Sequence, residues 1–396
     1  MSHDSTPHTL NTNGALQAED AYWMGEALFA ARSVLTRTWP NPPVGAVVVR
    51  DGERVGRGAH QGAGTLHAEP VALAAAGERS IGATLYVTLE PCNHQGRTGP
   101  CAPAVVAAGI KRVVIAMLDP NPTVAGGGVA HLEAAGIEVA CGVAAPEALE
   151  LVWPFVSTEN FGRPFVELKT AHSLDGFFAP PLKYRTKQAP VYLTGADARR
   201  DVHRRRRRVD MVLVGEGTVA ADQPRLDGRL ANDCDDIPQI DPTAAYVDTD
   251  LSWRGGFQRS RYIVFAGENA RESGAVAEIE SDGGEIIFCR EDSGKVDPCD
   301  VVAKAYEQGF HSIMVEGGPT LAAAFLRAEL VDRWVKYQAP ILLGDGITWP
   351  RDFMGANNVQ RNFYLTESMR MGADLVSVYD RQCFADLLKQ VAGGGI

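Results

Sequence analysis

The segments LHAE (residues 66–69) and TLEPCNHQGRTGPCAPAVVAAGI (residues 88–110) decide the fold predicted for the first half of the chain. The longer segment begins at the end of a predicted β-strand, Ala83–Leu89, and runs into a predicted helix, Ala102–Ala108. A predicted hairpin between two predicted helices precedes it, and single helices and strands alternate after it up to a predicted strand over Ile137–Cys141. This alternation is typical of a three-layer α/β/α domain.

The same two segments carry side chains that bind metal ions. The imidazole of His67 and the thiolates of Cys92 and Cys101 fill three tetrahedral positions on Zn²⁺ and leave the fourth for water, as in catalytic zinc sites. Zinc lowers the pKa of a bound water to about 7. Glu69 lies two residues from His67, and we expect it to carry protons between this water, the substrate ring and a departing amine.

The residues alone leave alternatives open. A His-x-Glu sequence followed by Pro-Cys-x-x-Cys is typical of nucleobase deaminases, whereas the eight residues Asn93–Pro100 separate the two cysteines here. The set is therefore also consistent with a zinc deaminase that acts on a nucleic-acid base. It is further consistent with a structural zinc clip, or with two cysteines that are simply buried.

Together with the downstream segment DPNPTVAGGG, these segments resemble the family of bifunctional riboflavin-biosynthesis deaminases/reductases. The resemblance implies a cytidine-deaminase-like fold and hydrolytic removal of the 2-amino group from 2,5-diamino-6-ribosylamino-4(3H)-pyrimidinone 5′-phosphate. It implies that His67, Cys92 and Cys101 bind Zn²⁺ and that Glu69 is the catalytic proton carrier. Asn41, in a Pro-Asn-Pro stretch, would help to hold the pyrimidine.

A second alternating set of strands and helices follows from Phe165 onward. The length of 396 residues exceeds that of one ordinary domain. We therefore predict two α/β domains, residues 20–151 and 163–390, with a linker over 155–164. The stretch 227–250 is rich in Asp, Asn and Pro and is predicted to be an exposed loop.

The sequence VEGGPT (residues 315–320) gives a binding signal in this second half. A predicted buried strand ends in two glycines and Pro319, and an Ala-rich helix begins there. Glycines let a backbone approach a ligand, and a helix N-terminus offers free N–H groups to a phosphate. Many strand–helix turns share these features, and the chain lacks a Gly-x-Gly-x-x-Gly fingerprint, so the signal is weak by itself.

With Leu168–Gly176 and Gly215–Arg229, this turn resembles the reductase half of the same family, a dihydrofolate-reductase-like α/β domain. The resemblance implies NADPH-dependent reduction of the ribosyl chain of the deaminated product to ribityl. It implies NADPH contacts at His172, Tyr192, Thr194, Thr218, Asp222, Thr249, Gly318, Pro319, Thr320, Leu321, Ala322, Ala323 and Ala324. It implies substrate contacts at Pro190, Arg206, Leu226, Arg229 and Glu316.

This half departs from the family pattern more than the first. His172 stands where the family has a small residue, and the stretch from Gly176 to Tyr192 is a few residues longer. A bulky imidazole at this position is expected to crowd or reshape a nicotinamide pocket. A reductase half with lost or altered activity, or a nucleotide-sensing module, is therefore a further alternative.

Charge limits the class of partner. Lys and Arg total 38 against 49 Asp and Glu, and the resulting net charge of −11 disfavours binding to nucleic acid. The run HRRRRR (residues 203–208) is a local exception. Consecutive helical residues step around the axis by ~100°, so part of the run must face solvent. We expect Arg206 to reach a monophosphate.

The remaining sequence features concern location. No run approaches the ~20 apolar residues that span a bilayer, and the polar N-terminus does not resemble a signal peptide. Seven sparse cysteines argue against a disulfide scaffold and favour a reducing compartment. We expect a cytoplasmic enzyme that acts on a small phosphorylated pyrimidine, with no nucleic-acid or membrane partner. We also expect a homo-oligomer.

Overall fold

The structure is a computed structural model that describes residues 12–96, 98–121, 125–181, 191–229, 240–253, 257–351, 363–381 and 386. The chain divides into two compact units, one that runs to Trp153 and one formed by Pro154–Asp386. Within the described ranges, no helix is both long enough and apolar enough to cross a membrane.

The first unit contains a five-stranded sheet. Its elements are α1 Thr12–Arg32, β1 Gly45–Arg50, β2 Glu53–Ala59, α2 Ala68–Ala76, β3 Thr84–Val87, α3 Cys101–Ala107, β4 Arg112–Ile115, α4 Gly127–Ala134 and β5 Glu138–Cys141. The strand order is β2-β1-β3-β4-β5. Strand β1 is antiparallel to both of its neighbours, and β3, β4 and β5 are parallel.

Two glycines show that helices cover both faces of this sheet. A Cβ atom at Gly45 would lie 2.0 Å from the carbonyl oxygen of Ala27 in α1, and one at Gly58 would lie 2.2 Å from that of Ala68 in α2. Gly58 pairs with Ala46, the neighbour of Gly45, so the two glycines face opposite sides. The predicted three-layer architecture is confirmed, and α2, which begins directly after His67, lies close against β2.

Helix α5, Ala145–Phe161, occupies most of the linker that was predicted over 155–164. This part of the predicted linker is helical because Leu149, Val152 and Val156 are buried and recur at spacings of three and four residues, as in a helix with one apolar face. Pro154 lies within this helix.

The second unit contains a nine-stranded sheet. Its elements are β6 Phe165–His172, α6 Ala196–Arg206, β7 Met211–Gly215, α7 Glu216–Asp222, β8 Thr243–Val247, β9 Tyr262–Gly267, α8 Ala275–Ser281, β10 Gly284–Cys289, β11 Glu291–Asp292, β12 Lys295–Val296, α9 Pro298–Glu307, β13 Ser312–Val315, α10 Pro319–Arg327, β14 Arg333–Gln338, β15 Phe363–Met371 and β16 Asp374–Arg381. The strand order is β10-β9-β8-β7-β13-β6-β14-β16-β15. The first seven are parallel, and the last two add an antiparallel edge.

Strand β8 lies inside the stretch 227–250, which was predicted to be an exposed loop. Ala244, Ala245 and Tyr246 are almost completely buried between β7 and β9. The flanking Asp and Pro residues hid this short apolar segment, because composition over a long window averages out a strand of five residues.

Two candidate active sites

The three predicted metal ligands come together in the first unit. His67 Nδ1 lies 3.6 Å from Cys92 Sγ and 3.3 Å from Cys101 Sγ. Zinc–sulfur bonds of about 2.3 Å and zinc–nitrogen bonds of about 2.0 Å at a tetrahedral angle separate such donors by about 3.5 Å. The donor set therefore fits Zn²⁺, and the described residues contain no second cluster of three His, Cys or acidic donors.

Helix termini position these ligands. His67 is the residue before α2, and Cys101 is the first residue of α3. The N–H groups of Cys101 and Ala102 both donate to the carbonyl oxygen of Cys92 at 3.0 Å, so the start of α3 fixes the Cys92 backbone. The hydrogen bond between the two thiols lowers the pKa of Cys92 to about 4 and raises that of Cys101. Cys92 is therefore ionised at neutral pH and ready to bind a cation.

Glu69 lies in the first turn of α2 and is only 3% exposed. Burial raises the pKa of its carboxyl group to about 7. A carboxyl group whose pKa lies near neutral can both accept and return a proton, which is the property required of a general acid/base. The structure thus places a carboxyl group with this property beside the three predicted metal ligands.

His60 is a candidate site residue that the sequence analysis missed. Its Nε2 atom lies 3.0 Å from Asn41 Nδ2, and its Nδ1 atom lies 3.1 Å from the carbonyl oxygen of Leu66. This pattern places the ring proton on Nδ1 and fixes the amide of Asn41. Burial lowers the pKa of His60, so the ring is neutral. No pattern in the sequence around His60 singles it out.

A cavity of about 380 Å³ marks the second candidate site. It lies at the carboxyl ends of the neighbouring parallel strands β6, β13 and β7, where open α/β sheets bind ligands. The predicted site residues that line it are Thr218, Asp222, Glu316, Gly318, Pro319, Thr320 and Leu321.

The glycine turns of this cavity fit a dinucleotide phosphate. Gly217 and Gly318 both line the cavity. A Cβ atom added at Gly217 would meet no atom within 4 Å, and one added at Gly318 would meet only the Thr218 hydroxyl oxygen, at 3.8 Å, so the space beside both backbones is open to a ligand. Gly318 caps the nine-residue helix α10, and Pro319 occupies its first turn. The first N–H groups of such a helix bind phosphate oxygens.

Glu316 forms the charged part of the lining. Arg206 donates to both of its oxygens, from Nε at 2.6 Å and from Nη2 at 3.0 Å, and Lys169 Nζ lies 3.7 Å away. Burial disfavours the charge on Glu316, but the charges of Arg206 and Lys169 outweigh it and lower the pKa of this carboxyl group. Burial also disfavours the charge on Lys169, and in an ammonium group this lowers the pKa.

Several predicted residues lie apart from the cavity lining. The Thr249 hydroxyl accepts a hydrogen bond from the N–H of Val296, and Tyr192 is 61% exposed with Arg199 over its ring. The carbonyl oxygen of Thr194 accepts from Arg199. Ala322 and Ala323 are buried in α10, and Ala324 is partly buried there. Pro190 lies outside the described residues.

Three predicted substrate-binding residues, Arg206, Leu226 and Arg229, meet around Asp227. Arg206 Nη1 and His203 Nδ1 both lie within 3.0 Å of the carbonyl oxygen of Asp227, and the carboxylate of Asp227 pairs with Arg229. Leu226 is 1% exposed and anchors the loop that contains Asp227. Arg206 is therefore held between Glu316 and this loop.

His172 does not contact the cavity. Its side chain is 2% exposed and packs behind the lining residues Thr170 and Phe178. The predicted crowding of the pocket by an imidazole is thus absent, because the ring points into the aromatic core of the unit. Burial lowers the pKa of His172 to about 4.

This buried histidine predicts an acid sensitivity. The pKa of His172 is about 4 in the folded protein and about 6.5 in the unfolded chain, so the unfolded state binds more protons between these values. The stabilisation that the neutral His172 ring contributes is therefore fully present above pH 6.5 and is lost as the pH falls towards 4. From pH 7.5 to pH 5, we expect the parent to lose about 2 kcal/mol more free energy of unfolding than His172→Asn. Urea-dependent hydrogen exchange of β6 and β14 measures this difference, and equal losses would contradict it.

The three metal donors of the first unit and the glycine-lined cavity of the second unit fit a zinc deaminase followed by a nucleotide-dependent reductase. Residues 17–117 match the cytidine and deoxycytidylate deaminase zinc-binding region, and residues 164–377 match the RibD C-terminal domain. The chain belongs to the RibD family of bifunctional deaminases/reductases of riboflavin biosynthesis.

Similar proteins cover nearly the whole chain. The riboflavin biosynthesis protein RibD of Escherichia coli K12 is 40% identical over 82% of this chain and 89% of its own length. The RibD protein of Aquifex aeolicus is 36% identical over 91% of this chain and 98% of its own length. A structure of Acinetobacter baumannii RibD shares 34% identity with a TM-score of 0.72, and the deaminase/reductase of Thermotoga maritima shares 31% with a TM-score of 0.74. Both cover 92% of this chain and 99% of their own.

This membership confirms the predicted fold class, a cytidine-deaminase-like domain followed by a reductase domain. It also confirms the predicted enzyme class and the cofactors, Zn²⁺ for the deaminase and NADPH for the reductase. The roles of individual residues remain predictions.

Proposed function

We propose that this chain catalyses two consecutive steps of riboflavin biosynthesis. In residues 20–151, 2,5-diamino-6-ribosylamino-4(3H)-pyrimidinone 5′-phosphate loses its 2-amino group by hydrolysis. In residues 163–390, NADPH reduces the ribosyl chain to give 5-amino-6-(5-phosphoribitylamino)uracil. The Thermotoga maritima relative is a diaminohydroxyphosphoribosylaminopyrimidine deaminase/5-amino-6-(5-phosphoribosylamino)uracil reductase. The observation that carries the proposal is the donor triangle of His67, Cys92 and Cys101 beside the buried Glu69.

In the deaminase, His67, Cys92 and Cys101 would hold Zn²⁺, which when bound lowers the pKa of water so that hydroxide is available for attack at neutral pH. Glu69 would take up protons as water adds to the substrate ring, and would return one to the ring nitrogen and one to the departing amine, which leaves as ammonia. Its burial suits both roles because the raised pKa of its carboxyl group makes proton gain and loss equally easy near neutral pH. Asn41, fixed by His60, hydrogen-bonds the pyrimidine edge.

In the reductase, the turn before α10 would bind the pyrophosphate of NADPH, which when bound supplies a hydride. Thr218 and Asp222 line the cavity beside this turn. Glu316 and Lys169 orient the polar substrate, and Arg206 keeps Glu316 ionised and in place. Arg206, predicted to reach a monophosphate, already donates to Glu316 and to Asp227, so we assign the substrate phosphate instead to Arg229, at the surface of the adjoining loop.

One reaction with product masses tests both steps. Without NADPH, we expect a product in which one amino group has become a carbonyl oxygen, together with ammonia. With NADPH, we expect a second product that carries two more hydrogens. Ammonia release from a tRNA but not from the pyrimidine would favour the nucleic-acid alternative, and a reaction that stops at the first product would favour an altered reductase half.

The proposal includes a cytoplasmic location, because the thiol ligands Cys92 and Cys101 must stay reduced to bind zinc. It includes a small phosphorylated pyrimidine as the substrate and no nucleic-acid partner, in keeping with the net charge of −11. The homo-oligomeric state remains a prediction from the sequence.

A further inference from the structure

We propose that His172 is a positioning residue for the reductase site, and that it holds Phe178 as an aromatic wall against which the nicotinamide ring of NADPH packs. The inference rests on the proposed reductase function of the second unit. It assigns His172 a role through Phe178 rather than the direct cofactor contact that the family resemblance implies.

The packing of His172 supports this role. Its ring centroid lies 4.4 Å from that of Phe178 and 6.0 Å from that of Trp349. Phe178 and Trp349 contact each other edge to face at 4.8 Å. Such aromatic contacts favour defined ring orientations. Phe178 lines the cavity and His172 does not, so the histidine forms the support behind the wall.

Hydrogen bonds fix the imidazole itself. Trp334 Nε1 donates to Thr170 Oγ1 at 2.8 Å, and Thr170 Oγ1 lies 2.9 Å from His172 Nε2. Because the indole can only donate, the Thr170 hydroxyl keeps its own proton for Nε2. The ring proton is then on Nδ1, directed at the carbonyl oxygen of Gly176 at 3.4 Å. The imidazole of His172 is therefore held by Thr170 of β6 on one side and by Gly176 of the following loop on the other.

The backbone of Phe178 is fixed independently. Its N–H donates to the carbonyl oxygen of Ile347, and the N–H of Ile347 donates to that of Ala179, both at 2.8 Å. Since the backbone is held by this pairing, the contact with His172 acts on the Phe178 side chain. His172 thus selects which direction the phenyl ring takes.

The chemistry of the lining indicates which part of NADPH meets this wall. The phosphates require the glycine turns and the start of α10, which are polar backbone surfaces. The side chains of Phe178, Ala179 and Ile347 form an apolar part of the same cavity, suited to a flat ring. We therefore assign the nicotinamide to this part.

Calorimetric titration of the full-length protein with NADPH tests the inference without relying on turnover. We expect His172→Ala to raise the dissociation constant about tenfold and the KM for NADPH by a similar factor, with little change in the kcat of reduction. His172→Phe keeps the ring contact with Phe178 and is expected to bind NADPH within about threefold of the parent. Phe178→Ala should weaken binding as much as His172→Ala, and the double variant no further.

The same preparations supply the controls. Deaminase activity reports folding of the first unit. His311→Ala removes another buried histidine of the second unit that does not line the cavity, and it is expected to bind NADPH with the affinity of the parent. Unchanged affinity in His172→Ala, additive effects of the two substitutions, or a loss in His172→Phe equal to that in His172→Ala would each overturn the inference. A parent that binds NADPH with this pattern but reduces nothing would contradict the proposed function and leave the inference standing. A parent that does not bind NADPH would overturn both.

Discussion

Replacing Glu69 with glutamine is expected to lower the kcat of deamination by about 10²–10⁴-fold, the range contributed by a general acid/base. The amide has nearly the same size as the carboxylate but cannot accept a proton from water. Glu69 lies two residues from His67 and is not one of the three donors that converge, so zinc content should stay at the parent level. Ammonia release and metal analysis on the same sample measure both quantities.

The matched control is Glu78→Gln, which makes the same chemical change at an exposed residue just after α2. We expect it to deaminate at the rate of the parent. NADPH-dependent reduction of the deaminated intermediate should be unchanged in both variants, because this reaction belongs to the second unit. Full deamination by Glu69→Gln would show that another group carries the proton, and loss of zinc from it would show that the carboxylate maintains the metal site.

The first site could be predicted from the sequence because its residues lie at the ends of regular elements. His67 directly precedes a helix, Cys101 begins one, and Cys92 follows a strand of the same sheet, so local patterns place all three at one edge. His60 was missed because it follows β2, whose polar residues are typical of a strand at the surface. Only its hydrogen bond to Asn41, which depends on tertiary packing, reveals a place in the site.

The second site was predicted less completely. The turn around Gly318 was found because glycines and a helix start are visible in the sequence, and it does line the cavity. The directions of His172 and Thr249 were not predictable, since both depend on partners far away in the sequence. Trp349 contacts His172, and Val296 donates to the hydroxyl of Thr249. Side-chain direction at the end of a strand is set by such distant contacts rather than by local pattern.

Replacing Cys92 with serine is expected to remove the metal and, with it, deamination. Cys92 supplies the thiolate that is ionised at neutral pH, since hydrogen bonding to Cys101 lowers its pKa to about 4. A serine hydroxyl stays protonated and is a poor zinc ligand, so only two strong donors remain. We expect zinc content to fall from about one ion per chain to below about 0.1, and deamination to fall by more than ~10³-fold. Metal analysis after gel filtration and an ammonia assay measure the two losses.

Cys141→Ser is the matched control, because Cys141 is an exposed cysteine at the end of β5 in the same unit. It should retain zinc and activity. A chelator should inactivate the deaminase of the parent, and added Zn²⁺ should restore it, whereas Zn²⁺ at the same concentration should not restore Cys92→Ser. Reduction of the deaminated intermediate should continue in every sample. A Cys92→Ser protein that keeps its zinc and still releases ammonia would mean that other side chains bind the ion, and the assignment of the donor triangle would be wrong.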